Sequence, residues 1–113
     1  MNQRLSVDVV FNGDEVTIIC VGEIDGTSDI RLSQTIGEAM VRNLRSLHLD
    51  LSGITFLDST GLRTLVVAAT QSEALGIDFS ITTSPWVDRM LQVAGMVDLV
   101  HGRLPGRPAD GVR

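Results

Sequence analysis

Leu5, Val7, Val9 and Phe11 alternate with Ser6, Asp8 and Val10, the period of a half-buried strand. Asn12-Gly13 follows, a strong hairpin signal. A second strand is predicted from about Val16 to Val21. Thr17 alone interrupts its apolar run, which reads as a central strand covered on both faces. Gly22-Glu23-Ile24-Asp25-Gly26 ends it. A helix then starts near Thr27 or Ser28, either of whose hydroxyls can cap it, with Asp29 suiting the helix dipole. Leu32, Ile36, Ala39 and Met40 recur at helical spacing on its apolar face.

Leu47, Leu49 and Leu51 alternate with His48 and Asp50, a third strand. A loop is expected over Ser52-Gly53-Ile54-Thr55-Phe56-Leu57. A second helix follows from about Asp58 to Leu75, with Gly76 as its left-handed stop. Ile77, Phe79 and Ile81 make a fourth strand. Ser84 caps a third helix with Pro85 at its first position, Val87, Met90, Leu91 and Ala94 form its stripe, and Gly95 stops it. Val97 to Val100 reads as a short fifth strand. Residues 102–113, rich in Gly, Pro and Arg, are expected to be a disordered tail. One domain over residues 1–101 is predicted, α/β in class: a hairpin followed by βαβαβαβ, giving one small mixed sheet with helices packed on it.

This topology has a consequence for chemistry. If the second, third and fourth strands are parallel, their C-terminal ends share one edge with the helix starts. Asp25, the Asp58-Ser59 pair and Ser84 then gather on one rim, where α/β sheets favour ligand and partner sites.

Composition narrows what such a site can do. The nine basic residues of this 113-residue chain are all arginines. Lysine-dependent chemistry is therefore excluded. Net charge is −5, and the basic tail leaves residues 1–101 at −7. That balance argues against nucleic acid and for a basic protein partner. The longest apolar run, Leu65 to Ala69, is far below the roughly 20 residues of a membrane span. Met1 to Asp8 shows no secretory pattern, so a cytoplasmic location is expected. The lone Cys20 reads as a small core hydrophobe. His48 and His101 have no Cys or carboxylate partner at metal-ligand spacing. A Ser-His-Asp arrangement on Ser59 lacks the Gly-x-Ser-x-Gly elbow. No metal or cofactor is expected.

The informative segment is Asp50-Leu51-Ser52-Gly53-Ile54-Thr55-Phe56-Leu57-Asp58-Ser59-Thr60-Gly61-Leu62. With Asp58 as N-cap, Leu57 and Leu62 can close a hydrophobic staple. Ser59 is then the first helical residue, its hydroxyl at the solvent-facing tip. Gly61 leaves room for a partner's backbone. Arg63, Thr64 and Val67 extend a candidate docking face along the helix. Trp86 is expected to be partly buried against the loop after the fourth strand, with a partner contact as the alternative.

A phosphate on Ser59 would be tolerated by the helix N-terminus and would add about −1.5 to −2 charge. At about 6 Å from a partner carboxylate, with an effective dielectric near 20, each unit charge costs on the order of 3 kcal/mol before screening. A net couple of kcal/mol weakens binding by more than tenfold. Yet Asp-Ser-Thr is also ordinary capping chemistry, so the triplet alone does not assign a switch.

The same segment resembles the signature of the STAS domain of bacterial anti-sigma factor antagonists, with Asp-Leu-Ser, a hydrophobic pair, then Asp-Ser-(Ser/Thr)-Gly-Leu. Gly22-Glu23-Ile24-Asp25 and Ser84-Pro85 with Val87, Leu91, Gly95 and Met96 are similar to two further patterns of that family. The resemblance covers residues 5 to 101. It implies a non-enzymatic protein whose unphosphorylated form binds an anti-sigma factor and so frees a sigma factor. It also implies that the anti-sigma factor is a serine kinase using ATP, and that a serine phosphatase reverses the modification. Ser59 is then the phosphoacceptor, Thr60 a secondary candidate, Asp58 its flanking acid and Asp25 a nearby rim residue. The C-terminal helix of many members has no counterpart in the Gly/Pro/Arg tail. Two alternatives stand beside this reading: a STAS scaffold or transport-complex subunit, and a small hydrolase using Ser59.

Overall fold

The computed structural model describes residues 5–104. Strands β1 (Leu5–Asn12) and β2 (Glu15–Ile24) form the hairpin, followed by helix α1 (Asp29–Met40) and strand β3 (Ser46–Leu57). Helix α2 (Ser59–Leu75), strand β4 (Asp78–Thr82), helix α3 (Pro85–Val93) and a 3-10 helix (Val97–His101) complete the chain. The four strands lie in sequence order, with β1 antiparallel to β2 and the other pairs parallel. The mixed sheet with packed helices is thus as expected. In the hairpin, Asn12 pairs with Glu15, so the turn residues are Gly13-Asp14 rather than Asn12-Gly13.

Among the described residues, the sheet is covered on one face only. Val16, Ile18 and Cys20 of β2, Leu47, Leu49 and Leu51 of β3, and Phe79 and Ile81 of β4 are buried. They pack with Leu32, Ile36, Leu65, Leu91 and other helix residues in one core. Right-handed crossovers between adjacent strands running in one direction put α1 and α2 on the same side. The alternate residues Thr17, Ile19, His48, Asp50 and Ser80 are only half-buried and Val21 is exposed. The expectation that β2 is covered on both faces is therefore corrected. β1 also departs from the half-buried reading, because as an edge strand it leaves Val9, Val10 and Phe11 exposed. The Arg42 guanidinium lies over the Phe11 ring, 4.2 Å from its centroid.

Two further corrections concern element type. Residues 52–57 are not a loop: β3 continues through them to pair Ile24 with Leu57. Its register against β2 shifts between Ile19/Val21 and between Gly22/Glu23. At each shift β3 carries one residue more than β2, which defines a β-bulge. Ser52, Gly53 and Thr55 occupy this bulged stretch, which is why it reads as turn-like. Residues 97–100 are not a fifth strand but part of the 3-10 helix. Leu99 is fully buried, and Met96 and Val100 pack partly against the core. Their i, i+3, i+4 spacing is helical, not alternating.

Caps behave largely as read. Asp58 accepts from the Gly61 amide, Ser84 accepts from the Val87 amide, and Gly76 stops α2 at φ 72. The Ser28 hydroxyl, by contrast, makes no cap bond to α1. Cys20 is buried in the core, and burial, with smaller contributions from Asp50 and Asp8, pushes its thiol up to about 12. It is no nucleophile at neutral pH. Of the expected tail, Leu104 packs partly against the core, whereas 105–113 lie outside the described residues.

Candidate functional site

Register builds the rim. Ile24 and Leu57 are the last paired residues of β2 and β3, so Asp25 and Asp58 leave the sheet side by side. The Asp58 amide donates to the Ile24 carbonyl at 3.2 Å, which ties the start of α2 to the end of β2. Asp58 Oδ1 then accepts from the Gly61 amide at 3.0 Å. Ser59 is the first residue of α2 and is exposed, as is Thr60. The hydroxyl foreseen at the helix tip is where the capping pattern puts it.

Gly61 behaves differently from expectation. It is buried, and a Cβ there would stand 2.5 Å from Leu57 Cδ1, 2.8 Å from Ile24 Cγ2 and 3.2 Å from the Ile24 carbonyl oxygen. The close approach that glycine permits is to this chain's own strand ends, not to a partner's backbone. Gly61 is therefore withdrawn from the contact surface and becomes the residue that seats α2.

Residues four apart on a helix share a face. Ser59, Arg63 and Val67 form such a row and all are exposed, Val67 at 44%. The opposite side, with Leu65, Ala68, Ala69 and Ser72, is buried. Thr64 turns instead toward α1, where its hydroxyl donates to the Asp29 carboxylate. The two helices are thereby joined close to the rim.

Asp25 is held by its own loop. Its Oδ1 accepts from the Thr27 amide at 2.9 Å, the Thr27 hydroxyl at 2.8 Å and the Ser28 amide at 3.1 Å. Its backbone carbonyl accepts from the Asp29 amide at 2.8 Å. The Thr27 hydroxyl and amide, then the Ser28 amide, hold the Asp25 carboxyl well below the usual carboxylate range. This carboxylate organises the turn that leads into α1, whose own N-cap Ser28 makes no side-chain cap bond. The Ser28 hydroxyl instead donates to the Glu23 carbonyl at 2.9 Å. The run Asp25-Gly26-Thr27-Ser28 carries the sequence signal for such an Asx turn.

Trp86 also sits elsewhere than expected. Its indole nitrogen donates to the Leu57 carbonyl at 3.3 Å, and its ring is 5.5 Å from that of Phe56, tilted by 36°. It packs on the end of β3, directly before Asp58-Ser59, while 43% exposed. Sequence reasoning missed this contact because it read 52–57 as a loop.

His48 is remote from Ser59 in chemical terms. Its Nδ1 lies 2.6 Å from Ser80 Oγ and its Nε2 2.8 Å from Thr82 Oγ1 on the open face of the sheet. It is thus a half-buried residue of a central strand. Among the described residues, no group of three or more His, Cys, Asp or Glu side chains could hold a metal ion. No helix among them is long and apolar enough to cross a membrane.

A rim of this kind, on a hairpin-led mixed sheet with an exposed serine at the first position of its second helix, marks a domain of the STAS type. The STAS domain profile matches residues 6–106, and the chain belongs to that family. Over 72 residues it is 36% identical to the anti-sigma-F factor antagonist RsfB of Mycobacterium tuberculosis, an alignment covering 64% of this chain. The matched stretch spans 57% of the length of that relative. The crystal structure of an anti-sigma factor antagonist from Mycobacterium paratuberculosis superposes with a TM-score of 0.70 at 25% identity, covering 81% of this chain and 79% of that one. The anti-sigma factor antagonist SpoIIAA in its unphosphorylated form shares the fold, with a TM-score of 0.71 at 19% identity over 83% of this chain and 84% of its own.

Proposed function

We propose that this protein is an anti-sigma factor antagonist switched by phosphorylation of Ser59. In the unphosphorylated form it binds an anti-sigma factor through the rim and the exposed row of α2, and so frees a sigma factor. The anti-sigma factor, as a serine kinase, transfers the γ-phosphoryl group of ATP to Ser59 Oγ. The new O–P bond replaces the β–γ phosphoanhydride bond, with loss of the hydroxyl proton and release of ADP. A serine phosphatase hydrolyses the ester and restores docking. The protein itself is read as a binding module and not an enzyme.

The observation that carries this reading is the exposed Ser59 side chain at the first turn of a helix that is already capped by Asp58. A phosphate there can be accommodated by the helix N-terminus without unfolding the domain. It adds like charge beside Asp58 and Asp25 on a face that must meet another protein. The similarity to the mycobacterial RsfB, named an anti-sigma-F factor antagonist, supports the partner class.

The test is to mix the protein with candidate anti-sigma kinases and ATP and to map the modification by mass spectrometry. One phosphate, on Ser59, is expected. Ser59→Ala should bind the kinase and resist release, whereas Ser59→Asp and Ser59→Glu should bind poorly. Normal phosphorylation of Ser59→Ala would overturn the assignment.

A further inference from the structure

Arg63 stands one helical turn after Ser59 and is the only basic residue of α2. Its side chain is exposed. Among the described residues it enters no ion pair or hydrogen bond. The acids of the rim make hydrogen bonds of their own: Asp58 caps α2, Asp25 accepts from the Thr27 and Ser28 amides of its turn, and Asp29 accepts from Thr64. The one cation on the docking row is thus uncommitted in the unmodified protein.

Helical side chains lean toward the N-terminus, and positions i and i+4 bring their Cβ atoms to about 5–6 Å. The Arg63 side chain can therefore reach back over Ser59. An anion at i with a cation at i+4 is also the better of the two orders for such a pair. A guanidinium can hold two phosphate oxygens at once, in a charge-assisted bidentate pair.

We propose that Arg63 is a built-in clamp for the phosphate. Once Ser59 is modified, Arg63 folds back onto it. Phosphorylation then does two things at one place: it adds a dianion and withdraws the only cation that α2 offers to a partner. The clamp rests on reading Ser59 as the phosphoacceptor, but its test can be made independent of any kinase.

Phosphoserine is installed at position 59 of the full chain by genetic encoding. Its second pKa is then measured by phosphorus NMR in the parent and in Arg63→Gln, with Arg89→Gln of α3 as control. Asp25, Asp58 and Asp29 raise that pKa and the N-terminus of α2 lowers it, equally in all three chains. The clamp lowers it further in the parent and in the control, by about 0.3 units or more relative to Arg63→Gln. The Arg63 Nε–H signal should at the same time become protected from solvent exchange. Coincident pKa values in parent and Arg63→Gln, or a shift that follows Arg89 instead, would overturn the clamp. If the clamp forms but no kinase modifies Ser59, the functional reading fails and the clamp stands. If a kinase modifies Ser59 but the pKa values coincide, the clamp alone fails.

Discussion

The indole N–H of Trp86 donates to the backbone carbonyl of Leu57, the residue just before the Asp58-Ser59 pair. The start of α3 is thereby fastened to the segment that launches α2, and the ring contact with Phe56 makes a second attachment. An aromatic pair adds about 0.5–1.5 kcal/mol and a hydrogen bond about 1 kcal/mol. Trp86→Ala should therefore destabilise the domain by about 1.5–2.5 kcal/mol, and Trp86→Phe, which keeps a ring against Phe56, by about half of that. Urea unfolding followed by circular dichroism measures both. Equal losses in the two variants would show that the indole hydrogen bond dominates.

Gly61 offers a sharper test of how α2 is seated. Ala favours a helix interior over Gly by about 1 kcal/mol, so a purely local view expects Gly61→Ala to stabilise. The close contacts with Leu57 and Ile24 predict the reverse. Overpacking costs typically about 1–3 kcal/mol, and a net loss is expected in the urea midpoint. Because the clash lies under the first turn of α2, the amide signals of Ser59 and Thr60 should shift as well. A raised midpoint would show that the strand ends yield more readily than the packing implies.

Asp25 predicts a pH dependence of defined sign. Its folded-state pKa lies below the ordinary value, owing first to the Thr27 hydroxyl and amide. A carboxylate lowered in this way stabilises the fold above its unfolded pKa of about 3.9 and loses that contribution as pH falls below it. Asp25→Ala should melt earlier than the parent at pH 7 and at pH 5 by a similar margin. The margin should narrow at pH 3. Thermal melts at the three pH values decide the matter, and a margin that widens in acid would contradict the role of this carboxylate in holding its turn.

Ser72 is the converse case. It is fully buried on α2, and its hydroxyl oxygen is the one buried side-chain polar atom among the described residues with no hydrogen-bond partner. Leaving such a group unsatisfied costs about 1–3 kcal/mol, and Ala is the better helix former. Ser72→Ala should raise stability by about 1 kcal/mol, seen as a higher urea midpoint with an unchanged slope. A lower midpoint would reveal a partner that the hydroxyl reaches.

Much of this was legible because the signals are local. Asp58, Ser84-Pro85 and Gly76 announce helix ends within a few residues, and that is enough to place Ser59 at the tip of α2. What was not legible depends on neighbours distant in sequence. Whether Ile19 and Val21 are covered is decided by the side on which α1 and α2 cross, not by the apolar run itself. The 52–57 stretch carries turn-forming residues because it is bulged, and only β2 shows that it is still paired. Val97 to Val100 was too short for two-residue and helical spacing to be told apart by composition. Gly61 was recognised as a point of close approach, but the approaching atoms belong to Ile24 and Leu57.

The two bulges of β3 have a consequence of their own. They slip the strand forward by two residues against β2 before Leu57 reaches Ile24, and so act as a ruler between Asp50 and the start of α2. Lengthening or shortening that ruler by a single residue would turn Leu57 outward and swing the serine away from the rim. The segment can thus tolerate exchange of its exposed letters, such as Ser52 and Thr55, far better than any change in their number.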